Sequence, residues 1–215
     1  MGIFNYDSKF IQYVNKLADL MIVNVLTLVC CLPIITIGSS LTAMHSVVMK
    51  IYRNEEHYVA KLFFKAFKEN FKRSTAIWLI YLAVFALFLL DMTIFTQSGL
   101  GVSKFLEYGL YVVIIMGALS FVWVFILQSR YENKVTTMIK NAILIGVTRP
   151  FRSILMVLVA CIPTLIVLVY APIGMPILIL FGFTLPGLLQ AMLYSKVFDR
   201  LEGVDLKAAE MQEEG

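Results

Sequence analysis

Charge is the scarcest commodity in this chain. Only 15% of its 215 residues are Asp, Glu, Lys or Arg, against about 25% in an average soluble domain. Histidine is nearly missing, with two in all, and the three cysteines, Cys30, Cys31 and Cys161, lie in apolar runs without CxxC or Cys/His spacing. Buried free thiols are the expectation, and neither a metal nor a redox centre is. There is no GxxxxGK[ST] phosphate loop, so the chain is not expected to power transport with ATP. HExxH, GxSxG and an intramembrane carboxylate pair are also missing. So little acid–base machinery argues against an enzyme, and no cofactor is expected.

What the chain has in excess is apolar surface: 60% hydrophobic residues and a mean hydropathy of +0.85. An integral membrane protein is the class this implies. The opening "MGIFNYDSKFIQYVNK" lacks the form of a secretory signal, and Tyr6 stands where a myristoylation signal needs Ser or Thr. The first hydrophobic segment is expected to remain as an anchor.

A crossing takes about 20 mostly apolar residues. Four stretches satisfy this: 75–97, 108–128, 154–171 and 173–194. A fifth region, Leu17 to Tyr52, is too long for one crossing and is interrupted by Pro33 and Gly38. Lysine and arginine collect in short cytoplasmic loops. Lys50, Arg53, Lys61, Lys65, Lys68, Lys72 and Arg73 precede Thr75, while Arg130, Lys134, Lys140, Arg149 and Arg152 follow Gln128. Ser98–Glu107 holds a single basic residue, Lys104, and Ala171–Pro176 carries no charge. The basic loops and the tail at 195–215 therefore read as cytoplasmic, and the bare loops as external.

That assignment decides the opening region. One kinked span would place Lys9 and Lys16 outside, against the charge rule; two helices, 17–32 and 41–52, broken between Pro33 and Ser40, place them inside. Pro33 disfavours helix just before it, Gly38 permits a turn, and Ser39 or Ser40 can cap a helix starting at Leu41. The cytoplasmic ends "KIYRNEE", "SRYENK" and "SKVFDRLE" share a basic–aromatic–acidic order, as three hairpins would produce. The expected fold is all-α: one membrane domain over 1–215, six helices in three hairpins, both termini cytoplasmic.

An interfacial helix is expected at 58–73. At 100° per residue, Lys61, Lys65, Lys68 and Lys72 fall within about 60° of arc, beside an arc of about 100° holding Phe63, Phe64, Phe67 and Phe71. Such a helix suits anionic inner-leaflet lipid, at about 1 kcal/mol per ammonium group, or a cytoplasmic partner. Nucleic acid is not expected. A second elbow, Asn133–Ser153, leads into the fifth helix, with Pro150 at the joint. Polar residues in the bilayer are costly and so mark candidate sites. Here they are Asn24, His45 and Asp91, together with the break at Pro33 and Gly38.

The residues "DSKFIQYVNKLADLMIVNVLTLVCCLPIITIGSSLTAMHSVVMKIYRNEE" and "FFKAFKENFKRSTAIWL", with the late "FGFTLPGLLQAMLYSKVF", resemble the YesL family of bacterial integral membrane proteins. The shared features are the Asn24-bearing first helix, the "LPIxTIG" turn at Leu32–Gly38 and the "FFxAFxxNFK" elbow at Phe63–Lys72. The resemblance implies a bacterial cell-membrane protein encoded among sugar-uptake and polysaccharide-degradation genes, beside a sugar ABC transporter or a sensor kinase. It supplies no catalytic residues. The expected function is an accessory or regulatory membrane component of carbohydrate uptake. The alternative is a small permease or channel with its site at the Pro33–Gly38 break.

The hairpin reading makes a direct prediction. With the native cysteines replaced, a Lys9→Cys variant in intact cells should resist a membrane-impermeant thiol reagent. Labelling from outside would sink the six-crossing count.

Overall fold

The computed structural model describes residues 9–55, 58–97 and 104–213. Among them the chain forms eight α-helices, one 3-10 turn and no strands: α1 Lys9–Cys31, the turn Ile34–Thr36, α2 Ile37–Arg53, α3 Val59–Gln97, α4 Lys104–Gln128, α5 Val135–Thr148, α6 Pro150–Val169, α7 Ala171–Phe181 and α8 Thr184–Glu213. Five spans are long and apolar enough to cross a membrane: Ile11–Cys31, Ile34–Arg53, Val59–Asp91, Tyr108–Gln128 and Pro150–Val169. The pair Gly174–Phe181 and Thr184–Phe198 is together as long and as apolar, but bends by 54° at its break, the form of either a broken span or a re-entrant loop. The architecture is that of a multi-pass helical membrane bundle.

The bundle is organised around α2. Inside it, 61% of the apolar window of α2 is buried, against 11% for α3 and for α6. Helices α1, α3, α4 and α8 all pack on it. The first two turns of its buried face, Gly38, Ser39, Ser40, Thr42 and Ala43, are small residues, which let helix backbones approach closely where no hydrophobic effect drives association. Gly38 shows how close. A Cβ built there would lie 2.5 Å from the Ser74 carbonyl oxygen and 2.7 Å from Trp78 Cβ. Hydroxyls then stitch the seam. Ser39 Oγ donates to the Phe71 carbonyl (3.2 Å) and lies 3.0 Å from Thr75 Oγ1, and Thr42 Oγ1 lies 2.9 Å from Ser74 Oγ. Ser40 Oγ donates to the Thr27 carbonyl of α1 at 2.9 Å.

This corrects the expected restart at Leu41. Helix α2 begins at Ile37, so Gly38, Ser39 and Ser40 are helical and their hydroxyls join other helices rather than cap their own. The turn closes instead through Thr36, whose Oγ1 donates to the Cys30 carbonyl (2.6 Å) and the Pro33 carbonyl (2.8 Å). Trp78 Nε1 donates to the Ile34 carbonyl at 2.7 Å. The second arm is therefore a 20-residue span, Ile34–Arg53, rather than the short 41–52.

Three further boundaries differ from the expectation. Segments 58–73 and 75–97 are not an interfacial helix followed by a span; they are one 39-residue helix, α3. At 1.5 Å per residue it is about 58 Å long, nearly twice the hydrocarbon thickness of about 30 Å. Nothing in "FKRSTAIW" breaks the helix, because Ser74 is buried and occupied in the α2 seam. Its aromatic stripe also divides: Phe63 is fully buried in the core, while Phe64 and Phe71 are 44% and 37% exposed. The stripe is first a packing face and only in part a lipid face.

The charge-free segment 171–176 is helical rather than a loop, with Tyr170 alone separating α6 from α7. Gly174 permits that tight joint, since a Cβ there would sit 2.9 Å from the Ile166 carbonyl oxygen and from Val167 Cα. Finally, 173–194 is not one straight span. It breaks between α7 and α8 with a 54° bend, and the tail 195–213 continues α8. Pro150 does open α6 at its first turn, as the elbow reading had it.

Substituting Gly38→Ala forces the Ser74 backbone aside and should cost about 1–3 kcal/mol by overpacking. Gly109→Ala, where a Cβ meets nothing within 4 Å, should be neutral or slightly stabilising. Thermal unfolding in one detergent compares the two, and equal midpoints would refute the close α2–α3 approach.

Candidate functional site

Asn24 is the polar residue with the most complete set of partners. It sits fully buried on α1, facing the α7–α8 break. A helix interrupted at Gly182–Phe183 leaves carbonyls behind the break and N–H groups ahead of it without helical partners. The Asn24 amide meets both sets. Its Nδ2 donates to the Ile179 carbonyl (2.7 Å) and to the Leu178 carbonyl (3.0 Å), which also accepts the Gly182 N–H (2.9 Å). Its Oδ1 accepts from the Phe183 N–H (2.8 Å) and the Thr184 N–H (3.1 Å). Two donors and two acceptor positions are all a carboxamide has. Asn24 is therefore a saturated clamp, with no hydrogen-bonding capacity left for a ligand.

His45, on α2, is buried, and its ring meets the edge of Tyr194 on α8 at a centroid distance of 6.2 Å. His45 Nδ1 and the Tyr194 hydroxyl both lack a hydrogen-bond partner. Tyr194 packs on Phe198, and the Arg130 guanidinium lies 5.1 Å from the Phe198 ring centroid. Asn24 and His45 thus both address α8, at Thr184 and Tyr194, about 15 Å apart along the helix. The structure does not bring them together.

The break residues part company too. Pro33 is exposed at the tip of the turn, while Gly38 is packed between Ser74, Trp78 and Phe125. Asp91 is remote from all of these, exposed on α3 at the edge of a cleft of about 680 Å³ between α3 and α4. Lys61, Lys65, Lys68 and Lys72 are all exposed on the first half of α3, with Lys65 Nζ 4.0 Å from Glu69. Next to this row, Arg73 donates to Glu132 at 3.3 Å, and Gln128 Nε2 donates to Asn70 Oδ1 at 3.1 Å.

Sequence reasoning missed the α7–α8 break. The signal was present in "FGFTLPG": a glycine followed four residues later by a proline near a helix start. It was masked by the uninterrupted hydrophobicity of the segment. The cross-links Trp123 Nε1 to Ser153 Oγ (2.8 Å) and Gln190 Nε2 to the Met156 carbonyl (3.0 Å) were equally invisible. A lone Ser or Gln in an apolar run does not announce its partner.

An Asn24→Leu substitution strands two N–H groups and one carbonyl in an apolar setting and should cost about 2–4 kcal/mol. Gln190→Leu removes one side-chain bond and should cost about 1 kcal/mol. If unfolding in detergent ranks them equal, Asn24 is not the clamp described.

Residues 20–92 match a family described as a protein of unknown function, DUF624. The matched segment holds Asn24, the α1–α2 turn, the α2–α3 seam, the lysine row and Asp91. No curated protein and no solved structure matches the chain. What is shown is thus a likeness, over about a third of the chain, to a family of unknown function.

Proposed function

We propose that this chain is a non-catalytic accessory or regulatory component of carbohydrate uptake or utilisation in a bacterial cell membrane. In this reading it crosses six times in three hairpins with both ends in the cytoplasm. The resemblance to the YesL family supports the carbohydrate setting, and the positive-inside distribution of Lys and Arg supports the orientation.

One observation carries the accessory role: the unbroken course of α3 from the lysine row into its apolar half. Phe63, Ala66 and Ile77 bury one side of that helix in the bundle core. Lys61, Lys65, Lys68 and Lys72 stand exposed on its other side. A charged row on a rigid, membrane-anchored helix can hold anionic inner-leaflet lipid, or seat an acidic face of a sugar ABC transporter or sensor kinase. Because the row shares its helix with the α2 seam, a force on the row reaches the packed centre of the bundle without a flexible joint.

Affinity capture of the full chain from native membranes, with the four lysines intact or changed together to Glu, tests this reading. At about 1 kcal/mol per lysine, recovery of the partner should fall more than about tenfold in the variant. Unchanged recovery would remove the lysine row from the mechanism. Sugar or ion flux through the purified chain alone in liposomes would favour the permease reading instead.

A further inference from the structure

Helices α3 and α4 pack together at one level and part above it. They are joined where the Tyr81 hydroxyl meets Ser120 Oγ at 2.8 Å and where Phe121 packs on Trp78 and Tyr81. Beyond that level they diverge, and a Cβ at Gly117 would meet nothing within 4 Å. The result is the cleft of about 680 Å³, with Phe85 and Phe88 along the α3 wall and Gly117 on the α4 wall. Its lining is apolar except at one end, where Asp91 stands exposed. Trp78 and Asp91 are about 20 Å apart along α3. One leaflet's hydrocarbon is about 15 Å deep, and small-molecule sites have volumes of about 300–1,000 Å³.

The geometry points to a lipid site. We propose that the α3–α4 cleft binds a membrane lipid whose headgroup carries a primary ammonium. The acyl chain runs along Phe88 and Phe85 toward Tyr81 and Phe121, and the ammonium pairs with the Asp91 carboxylate. Three features select this occupant. From Tyr81 to Asp91 the groove runs about 15 Å along α3, one leaflet's depth, so a lipid tail fills it from the polar boundary inward. Its aromatic walls suit an alkyl chain and add cation–π attraction near the mouth. A carboxylate at a lipid-facing position is costly unless a cation answers it, and it disfavours lipids that present only a phosphate. This site is separate from the lysine row, which has the opposite charge preference.

Native mass spectrometry of the full chain, released from nanodiscs of equal phosphatidylethanolamine and phosphatidylglycerol with identical chains, tests the proposal. The two lipids share tails and phosphate and differ in what the phosphate carries, an ethanolammonium in one and an uncharged glycerol in the other. The wild-type chain should retain phosphatidylethanolamine in preference. Asp91→Asn should lower the bound ratio of phosphatidylethanolamine to phosphatidylglycerol by about fivefold, with a tail still held. Gly117→Leu, which projects into open space and fills the cleft, should remove the adduct of either lipid at this site. A ratio that Asp91→Asn leaves unchanged would overturn the headgroup assignment. Retention of the adduct by Gly117→Leu would overturn the cleft as its seat. A dimer that Gly117→Leu dissociates would identify a second copy of this chain as the occupant, and also overturn the proposal. Should Gly117→Leu fail to fold, the Asp91→Asn ratio decides alone.

Discussion

The interaction on which the rest of this bundle depends is one carboxamide answering a broken helix. In hydrocarbon, a backbone N–H or carbonyl without a partner costs several kcal/mol, so a helix is interrupted there only where protein supplies the missing bonds. Asn24 makes four bonds there, to the Leu178 and Ile179 carbonyls of α7 and to the N–H groups of Phe183 and Thr184 that lead into α8, and all but the one to Leu178 go to groups the break leaves open. It thereby holds the 54° bend and ties the first helix of the chain to the last two. The bend lets α8 lean onto α2, where Gly187 lies against Met44, and Tyr194 meets His45.

The second constraint is proximity. Apolar side chains gain little by leaving lipid for another apolar surface, so helices in a membrane associate through close packing and hydrogen bonds. The segment "GSSLTA" meets both needs with one set of residues. Gly38 admits the α3 backbone, and Ser39, Ser40 and Thr42 each bond outside their own helix. The apolar core around Trp123, Phe63, Ile77 and Phe198 then fills the space these contacts define. Trp123, Gln190 and Ser153 extend the same device to α6.

Tightness at the centre contrasts with openness along α3 and α4. One half of α3 is locked to α2, while its other half leaves α4 and exposes Val84, Phe85, Leu87 and Leu90. A single rigid helix thus presents a cationic row at one end and an apolar cleft with a carboxylate at the other. Packing rigidity is concentrated where polar contacts are dense, and lipid-facing surface is left where they are absent.

Composition and charge alone determined the membrane class, the approximate positions of the apolar spans and the existence of a break after Pro33, though not that the helix restarts at Ile37 rather than Leu41. Those properties follow from transfer free energy and from proline geometry, which are local. The sequence also marked Asn24 as a costly polar residue, without showing what it bonds. Only tertiary structure decided that Gly38 and its neighbours form a seam rather than a turn. It likewise decided that α3 runs unbroken past Ser74, and that the last apolar segment bends at Gly182. The physical reason is the same in each case. A serine or asparagine in an apolar run has equal claims as cap, kink or cross-link, and the choice falls to whichever partner another helix brings within hydrogen-bonding distance.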